Sequence, residues 1–430
     1  MAKEIKETKV RSALPTLNTI GNVGAGSANF QDFKFRIEKP NFLNGVHLPF
    51  TLVALFLVLF GLVVCYSAVM DNAEYSFKRQ LTGLAIGLIL CICVYKFNYL
   101  KLEKLAIPLL VISVIMILSP HIPGIGYEAM GAKSWVKIGI QFQPGEFAKV
   151  TVILFAASLI SKFQGRLDSL KEYCKAVGML AIPFVCILTQ PDLGTGLVYL
   201  VISAVVIIVG GAKMRYVVAT VLVIVVSFLL LLGIDEILKT QSADGTYEYK
   251  LLKNYQRSRL FVFLNQDAAD SSSDGYNLQQ AMIAIGSGGA VGKGLGQATQ
   301  STLGFLPEAP TDFIFCVLAE ELGFVGVICL LVLYALLIFF TIRIGHSSGS
   351  MFGMLICIGV SAMWLFQVLE NVGMCCGVMP ITGIPLPFVS YGSSFMIVNF
   401  VCLGLVANVW KVSKKPSRQS MQHSKDVNYA

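Results

Sequence analysis

The amino-acid sequence predicts an all-α, polytopic integral membrane protein with ten transmembrane helices and a large extracytoplasmic loop between helices 7 and 8. Three observations predict this fold class. The 430 residues are 55% hydrophobic and only 13% charged, whereas soluble globular proteins carry about 25% charged residues. The mean hydropathy is +0.72. Ten apolar stretches approach the roughly 20 residues that a helix needs to cross a bilayer.

The ten predicted spans alternate with short polar connections. They lie near residues 50–70, 81–97, 105–119, 147–161, 176–190, 195–211, 216–234, 312–342, 351–379 and 391–410. The third and fourth are short for a span, so their ends are the least sharply defined by the sequence.

The basic residues predict the orientation of the chain. They concentrate before span 1 and after spans 2, 4, 6 and 10, for example at Lys101, Lys104, Arg166 and Lys171. Loops rich in Lys and Arg stay in the cytoplasm, so an even number of spans places both termini there. The expected location is the plasma membrane. The net charge of +8 therefore reports topology, and no nucleic-acid partner is expected.

Three parts of the chain are distinguished by composition. Residues 1–45 predict a disordered cytoplasmic tail, residues 46–411 a transmembrane domain, and residues 412–430 a cytoplasmic C-terminal tail. No cleavable signal peptide is expected, because the first apolar stretch is long enough to stay in the membrane. The longer outward-facing segments are 120–146 and 235–311. Chemistry in the second of these has no access to cytoplasmic ATP.

The large loop, residues 235–311, contains two segments with helical patterns. Residues 255–265 predict an interfacial helix that directs Arg257 and Arg259 toward lipid headgroups. Residues 275–296 predict a re-entrant or interfacial helix that breaks at Gly286. Irregular backbone at membrane depth is tolerated against protein or a wet cavity, so a water-accessible cavity is expected here.

The glycine-rich stretch 286–296 is not a P-loop. The motif needs a glycine where Ser287 stands and a Ser or Thr where Gly294 follows the lysine. Two interpretations remain. The glycines permit tight packing and turns, or their backbone N–H groups and Lys293 approach a phosphate-bearing ligand.

Four further charged residues near the ends of spans each admit two interpretations. Glu146 and Lys149 lie on one helix face, either as a functional pair, the default for intramembrane charges, or as a structural ion pair. Asp192 lies at the outer surface and serves the site or caps the next helix. Arg79 is an anion ligand or an interfacial anchor.

Acidic residues also flank the large loop. Asp312, near the start of the eighth span, is explained by the helix dipole alone. Asp267, Asp270 and Asp274 lie in the Ser-rich stretch 265–277, where an isolated aspartate is normally just solvated. Beside a cationic, glycine-rich cavity, however, a carboxylate suits a general base that acts on a lipid-linked anionic substrate. The four histidines are scattered along the sequence, so no histidine metal cluster is expected.

A series of motifs resembles the SEDS family (shape, elongation, division and sporulation), whose members include RodA, FtsW and SpoVE. In order, these are QPGEFAK, QPDLGTG, YQRSRL, GYNLQQAMIAIGSGG, GKG, FLPE, TDFIF, AEELGF and TGIPLPFVSYG. The similarity extends over residues 50–410. GYN, GKG and TGIPLPF are more similar to RodA than to FtsW, which favours a role in elongation.

The resemblance implies a ten-span enzyme that polymerises peptidoglycan glycan strands from lipid II together with a class B penicillin-binding protein. The family's catalytic aspartate stands five positions before Gly-Tyr, which here is Asp270. The sequence departs from the family pattern at Ser271, for proline, and at Ser273, for glycine. Further departures are Gly145, Pro310 and Ser393.

The implied reaction is an inverting glycosyl transfer between two lipid-linked substrates. Asp270 takes the proton of the attacking hydroxyl, and Arg79, Lys149 and Lys293 are the candidate cations for the leaving diphosphate, with Glu146 and Asp192 in the same site. No organic cofactor is expected; a divalent cation, Mg²⁺ or Mn²⁺, is the inorganic candidate. The alternatives are a lipid-linked precursor flippase or transporter and a non-catalytic membrane scaffold for wall synthases.

Overall fold

The computed structural model describes residues 45–414, except for 71, 73, 130–131, 139, 191, 242–246, 249–258, 260–261 and 264–272. The predicted tails lie almost entirely outside the described residues, as do Asp267, Asp270 and most of the predicted interfacial helix 255–265. The boundaries of the tails therefore stay predictions.

The described residues are mainly helical, and a helix coincides with each of the ten predicted spans. The helices are α1 Leu48–Val69, α2 Phe77–Lys96, α3 Ala106–Leu118, α4 Pro144–Ser161, α5 Leu170–Leu188, α6 Leu193–Val209, α7 Met214–Leu238, α8 Ser273–Gly288, α9 Thr299–Thr302, α10 Ile314–His346, α11 Met351–Cys375 and α12 Ser393–Ser413.

The polytopic all-α prediction is confirmed. Within the described part of the chain, seven helices are long and apolar enough to cross a membrane, namely α1, α2, α4, α7, α10, α11 and α12. Two shorter apolar helical segments, Ala106–His121 and Leu193–Val209, accompany them. The exact number of ten spans stays a prediction.

The helices differ sharply in how deeply they are buried. α4 packs against α3, α6 and α11, and α12 packs against α2. In the most apolar 18-residue window of each helix, 83% of the residues of α4 but 0% of those of α7 are buried inside the protein. α4 is therefore a central helix, whereas α7 exposes its apolar side chains on the surface of the protein.

A small β-sheet interrupts the helical pattern between α3 and α4, in the segment predicted only as a long outer loop. Strands β1 (Gly126–Ala129), β2 (Ala132–Ile138) and β3 (Ile140–Phe142) pair antiparallel in this order. The register places Val136 opposite Phe142. Trp135 and Val136 are aromatic and β-branched residues that favour strands. A second pair, β4 (Thr240–Gln241) and β5 (Tyr247–Glu248), lies after α7.

The start of α4, α6, α10 and α12 and the end of α11 mark what we call the large-loop end of the bundle. Here α8 packs against α10, which is itself interrupted at Gly323 (φ 61°, ψ −163°). The predicted break at Gly286 was two residues early, because α8 continues to Gly288. Within the stretch 286–296, the first glycine with a left-handed backbone is Gly289, at φ 56°.

Candidate active site

Glu146 and Lys149 form a buried ion pair in the first turns of α4. The helix begins with Pro144 and carries an acid in its first turn, both of which are favoured at a helix N-terminus. Lys149 Nζ lies 2.6 Å from Glu146 Oε1, and the two side chains are 1% and 5% exposed. The ammonium also lies 5.5 Å from the ring centroid of Phe395 on α12. The second oxygen of Glu146 has no hydrogen-bond partner among the described residues.

Asp192 connects the starts of α4 and α6. Its Oδ1 accepts a hydrogen bond from the backbone N–H of Thr195 at 2.9 Å, so the interpretation as a helix cap is confirmed. Its Oδ2 accepts from Gln143 Nε2 at 3.0 Å, and the backbone N–H of Gln143 donates to Ser394 Oγ at 3.4 Å. Asp192 thus links the starts of α4 and α6, and Gln143 links them to the start of α12 at the large-loop end.

Arg79 lies apart from these groups in the first turn of α2. Its side chain is exposed, and within the described residues it forms no hydrogen bond or ion pair with Glu146, Lys149, Asp192 or Lys293. The neighbouring Gln80 is buried and bonds the loop before α12, donating to Ser390 O at 3.3 Å and accepting from Gly392 N at 2.9 Å. Arg79 is therefore an accessible cation on an anchored helix end.

Lys293 is paired with a buried carboxylate on α10. Its Nζ lies 2.5 Å from Glu320 Oε1 and 2.9 Å from Thr299 Oγ1. The lysine side chain is 30% exposed, whereas that of Glu320 is 1% exposed. The ammonium can face solvent while it holds Glu320, and it shares no contact with the Glu146–Lys149 pair.

The glycines before Lys293 pack directly on the backbone of α10. A Cβ atom at Gly288 would lie 2.0 Å from Ala319 O, and one at Gly292 would lie 2.1 Å from Glu321 O. On the other side, a Cβ atom at Gly323 would lie 2.3 Å from Gly292 N. The structure thus shows the tight packing that was one of the two interpretations of the glycine-rich stretch. An approach to a phosphate stays a prediction.

Glu308 and Asp312 form an acidic pair in the loop before α10 that the sequence interpretation underrated. Tyr75 Oη donates to Glu308 Oε2 at 2.8 Å, and Thr311 Oγ1 donates to the same oxygen at 3.0 Å. Burial and then the Glu308 carboxylate raise the pKa of Asp312 to about 7, against an opposing effect of Arg259. Burial and the bond to Glu308 likewise raise the pKa of Tyr75.

The surroundings of Asp312 come from the end of α11 and the loop that follows it. The backbone carbonyl of Asp312 accepts from Asn371 Nδ2 at 2.8 Å. A Cβ atom at Gly383, where φ is 73°, would lie 2.9 Å from Asp312 Oδ2. A glycine is therefore required for this close approach.

Glu370 is a second acidic residue that sequence reasoning missed. It is buried in α11, where one carboxylate oxygen accepts a hydrogen bond from Thr382 Oγ1. The other oxygen has no partner among the described residues. The available signal was a single acid inside an apolar span, which marks a functional hypothesis by default.

The aspartates of the large loop are described only in part. Asp267 and Asp270 lie outside the described residues. Asp274 opens α8, and its Oδ1 lies 3.8 Å from Arg259 Nε. Among the described residues, no three His, Cys, Asp or Glu side chains come together to hold a metal ion.

The fold and these charges define a polytopic membrane protein with buried ion pairs and carboxylates at its large-loop end. The sequence model of the FtsW, RodA and SpoVE family, described as "Cell cycle protein", matches residues 47–415. The chain belongs to this family, and the resemblance seen in its motifs is confirmed.

Two curated relatives show how far the similarity extends. Stage V sporulation protein E of Bacillus subtilis is 34% identical over 372 residues, which cover 84% of this chain and 96% of the relative. Peptidoglycan glycosyltransferase MrdB of Escherichia coli strain K12 is 34% identical over 375 residues, covering 86% and 96%.

Two solved structures share the fold. A chain from a peptidoglycan synthase complex that coordinates polymerization and crosslinking superposes with a TM-score of 0.70 at 29% identity, covering 86% of this chain and 99% of that chain. The rod shape determining protein RodA of Thermus thermophilus gives a TM-score of 0.62 at 28% identity, covering 88% and 100%.

Proposed function

We propose that the chain is a peptidoglycan glycosyltransferase that extends glycan strands from lipid II at its large-loop end, with Asp270 as the general base. The activity follows from family membership and from relatives that are themselves named peptidoglycan glycosyltransferases. We further propose that lipid II is the substrate and that individual residues have the roles given below. The similarity to RodA in GYN, GKG and TGIPLPF supports a role in elongation.

One observation carries the placement of the site. The Lys149 ammonium is buried at the same end of the bundle as the large loop, and it satisfies only one oxygen of Glu146. A lysine ammonium has three donors. Among the described residues the one hydrogen-bond partner of Lys149 is Glu146, and a buried cation with further donors is suited to an anionic group such as a diphosphate.

The proposed reaction is a single displacement. The 4-hydroxyl oxygen of the acceptor GlcNAc attacks C1 of the donor MurNAc as Asp270 takes its proton. The bond between C1 and the phosphate oxygen breaks, and undecaprenyl diphosphate leaves with the electron pair. A hydroxyl is too weak an acid to lose its proton unaided at neutral pH, so a positioned base is required. Attack from the opposite face converts an α-linked donor into a β-linked product.

The leaving diphosphate needs positive charge more than it needs a proton. We assign this role to Lys149, to the exposed Arg79 and to Lys293, whose ammonium is partly exposed. Glu146 orients Lys149, and Asp192 holds Gln143 beside it. We assign a divalent cation, Mg²⁺ or Mn²⁺, to the diphosphate of the substrate, whose negative charge it would balance.

The proposed partner is a class B penicillin-binding protein, which crosslinks the strands that this chain makes. The similarity to a chain of a peptidoglycan synthase complex supports a partner of this kind. The chain is a multi-pass membrane protein, and we propose that both termini are cytoplasmic, which directs the large loop to the outer surface where lipid II is presented.

Incubation of the purified protein with labelled lipid II, with and without the partner, tests the proposal. Glycan chains of increasing length are expected on a gel. A flippase or a scaffold predicts no chains under either condition, and their absence in both samples would overturn the proposed activity.

Labelling of cysteines tests the topology in a background without native cysteines. A cysteine introduced by Ser272→Cys should react with a membrane-impermeant maleimide in intact protoplasts. One introduced by Ser169→Cys, in the basic segment between α4 and α5, should react only after the membrane is opened. The reverse pattern would move Asp270 to the cytoplasmic side and favour the flippase.

A further inference from the structure

Glu320 and Glu321 are adjacent, fully buried carboxylates on α10 that have no part in the proposed chemistry. We infer that they are positioning residues, which clamp residues 286–300 onto the break in α10 and so fix the end of α8, the helix that follows Asp270 in the sequence. The importance of this clamp for catalysis rests on the proposed function of Asp270. The clamp itself rests on the contacts of the described residues.

Glu320 contacts both ends of the clamped segment. Its Oε1 accepts from Lys293 Nζ at 2.5 Å, from Thr299 Oγ1 at 2.7 Å and from the Thr299 backbone N–H at 3.0 Å. The backbone N–H of Gln300 and the hydroxyl of Ser287 also donate to the carboxylate, at 3.3 and 3.4 Å. One buried carboxylate thereby joins the end of α8, the start of α9 and α10.

Glu321 ties the same segment to α1. Its Oε1 accepts from Ser67 Oγ at 2.5 Å and from the Gly296 backbone N–H at 3.0 Å. The Gly296 N–H also lies 2.8 Å from Ser67 Oγ. A Cβ atom at Gly296, where φ is 77°, would lie 2.7 Å from Met70 Cε. The left-handed backbone at this position favours glycine.

The break at Gly323 supplies backbone groups for the same junction. Phe324 N donates to Gly289 O at 3.0 Å, and Val325 N donates to Ala290 O at 3.1 Å. In return, Lys293 N donates to Glu320 O at 3.0 Å. The segment thus pairs with backbone groups that the interrupted helix would leave without partners, and such pairing is required of buried N–H and C=O groups.

Along the sequence, the helix α8 lies between Asp270 and this junction. It starts at Ser273, three positions after Asp270, and its Leu278, Ala281 and Ala284 are buried. A 16-residue helix is a stiff rod about 24 Å long, so a shift at its clamped end moves the other end. Proton transfer requires heavy atoms about 2.6–3.2 Å apart, and a misplacement of about 1 Å can cost about 100-fold in rate.

Glu320→Gln tests the clamp through the mobility of α8 and the kinetics together. A nitroxide label is attached after Tyr276→Cys, at an exposed position of α8, in a background without native cysteines. We expect faster label motion and a kcat lowered at least about tenfold, with a KM for lipid II within about threefold of the wild-type value. Thr299→Val, which removes one hydroxyl donor, should cause the same changes to a smaller degree if Glu320→Gln does not fold.

Asp168→Asn is the matched control, because it neutralises an exposed acid that is 3.3 Å from Lys213 in another part of the chain. Asp168→Asn should change neither the label motion nor kcat. Unchanged label motion in both Glu320→Gln and Thr299→Val would overturn the clamp. Faster motion with an unchanged kcat would overturn its positioning role, whereas the proposed function of Asp270 is decided separately by Asp270→Asn.

A double-mutant cycle separates the clamp from substrate binding by Lys293. If Lys293 acts through Glu320, Glu320→Gln combined with Lys293→Gln should lower kcat no further than Glu320→Gln alone. A further fall in kcat in the double variant is expected if Lys293 also stabilises the leaving diphosphate, as proposed above. No further fall would remove the lysine from the substrate site and leave it in the clamp alone.

Discussion

Two lysine–glutamate pairs at the large-loop end differ in how completely they are satisfied. Glu320 accepts hydrogen bonds from Lys293, Thr299, Gln300 and Ser287. Glu146 accepts a side-chain hydrogen bond only from Lys149 among the described residues, and its second oxygen has no partner. Both carboxylates are buried, so burial alone does not separate a structural charge from a functional one.

The two pairs differ in the hydrogen-bonding groups that are still available to a ligand. Leaving a buried polar group unsatisfied costs about 1–3 kcal/mol, and a native protein keeps such a group for a reason. Among the described residues, one oxygen of Glu146 has no hydrogen-bond partner, so the Glu146–Lys149 pair can form further hydrogen bonds. Both oxygens of Glu320 already accept hydrogen bonds within the protein. The comparison predicts that substitutions at the first pair change substrate use and that those at Glu320 change the position of α8.

Asp270→Asn should have the largest effect, since it removes the proposed base and keeps its shape. Polymerisation of labelled lipid II should fall about 10²–10⁴-fold, with membrane insertion and partner binding intact. Asp267→Asn and Asp274→Asn should retain activity close to that of the wild type. If Asp270→Asn were active and one of the neighbours inactive, the base would have to be reassigned.

Lys149→Ala should follow, with a loss of about 100-fold in polymerisation because a stabilising cation is removed from the diphosphate. It should also destabilise the protein by about 3–5 kcal/mol, since the Glu146 charge is left buried and unpaired. Lys149→Arg, which keeps the charge, should retain more activity. Thermal unfolding must therefore be measured alongside polymerisation.

The double variant Glu146→Gln, Lys149→Ala separates these two effects. Removal of both charges should restore much of the stability but not the activity. Recovery of both together would mean that the pair is only structural, and the contrast with Glu320 would lose its basis.

Local sequence patterns predicted the features that depend on near neighbours. The spans, the spacing of Glu146 and Lys149 and the cap by Asp192 involve residues close along the chain, where helix geometry decides which side chains meet. Partners across the bundle could not be predicted in this way. Ser67 with Glu321 and Tyr75 with Glu308 join segments that are 254 and 233 residues apart in the sequence. Only the packed helices bring them together.

Asp312 should make stability depend on pH, because its pKa of about 7 lies above the usual 3.8. The folded state binds this proton more tightly than the unfolded state. The resulting contribution to stability is therefore fully present below pH 3.8 and is lost as the pH rises through about 7. At 1.36 kcal/mol per pKa unit, its upper limit is about 4 kcal/mol.

Thermal unfolding in detergent between pH 5 and pH 8 measures this contribution. Asp312→Asn should flatten the decline in the unfolding midpoint that the wild type shows with rising pH. An equal decline in both proteins would show that Asp312 is not the group that titrates, and this prediction would be wrong.

Asp192 gives the smallest expected effect and the sharpest test of the comparison. Both of its oxygens are used, by Thr195 N and by Gln143 Nε2, so it resembles Glu320 more than Glu146. Asp192→Ala should cost about 1 kcal/mol in the free energy of unfolding, the usual effect of losing a helix cap. Asp192→Asn should lose little stability or activity, because asparagine caps helices equally well and Gln143 can turn its amide to match. An Asp192→Asn variant that is stable but inactive would show that the substrate site needs this charge. A carboxylate whose two oxygens both accept hydrogen bonds could then no longer be taken as structural on that ground.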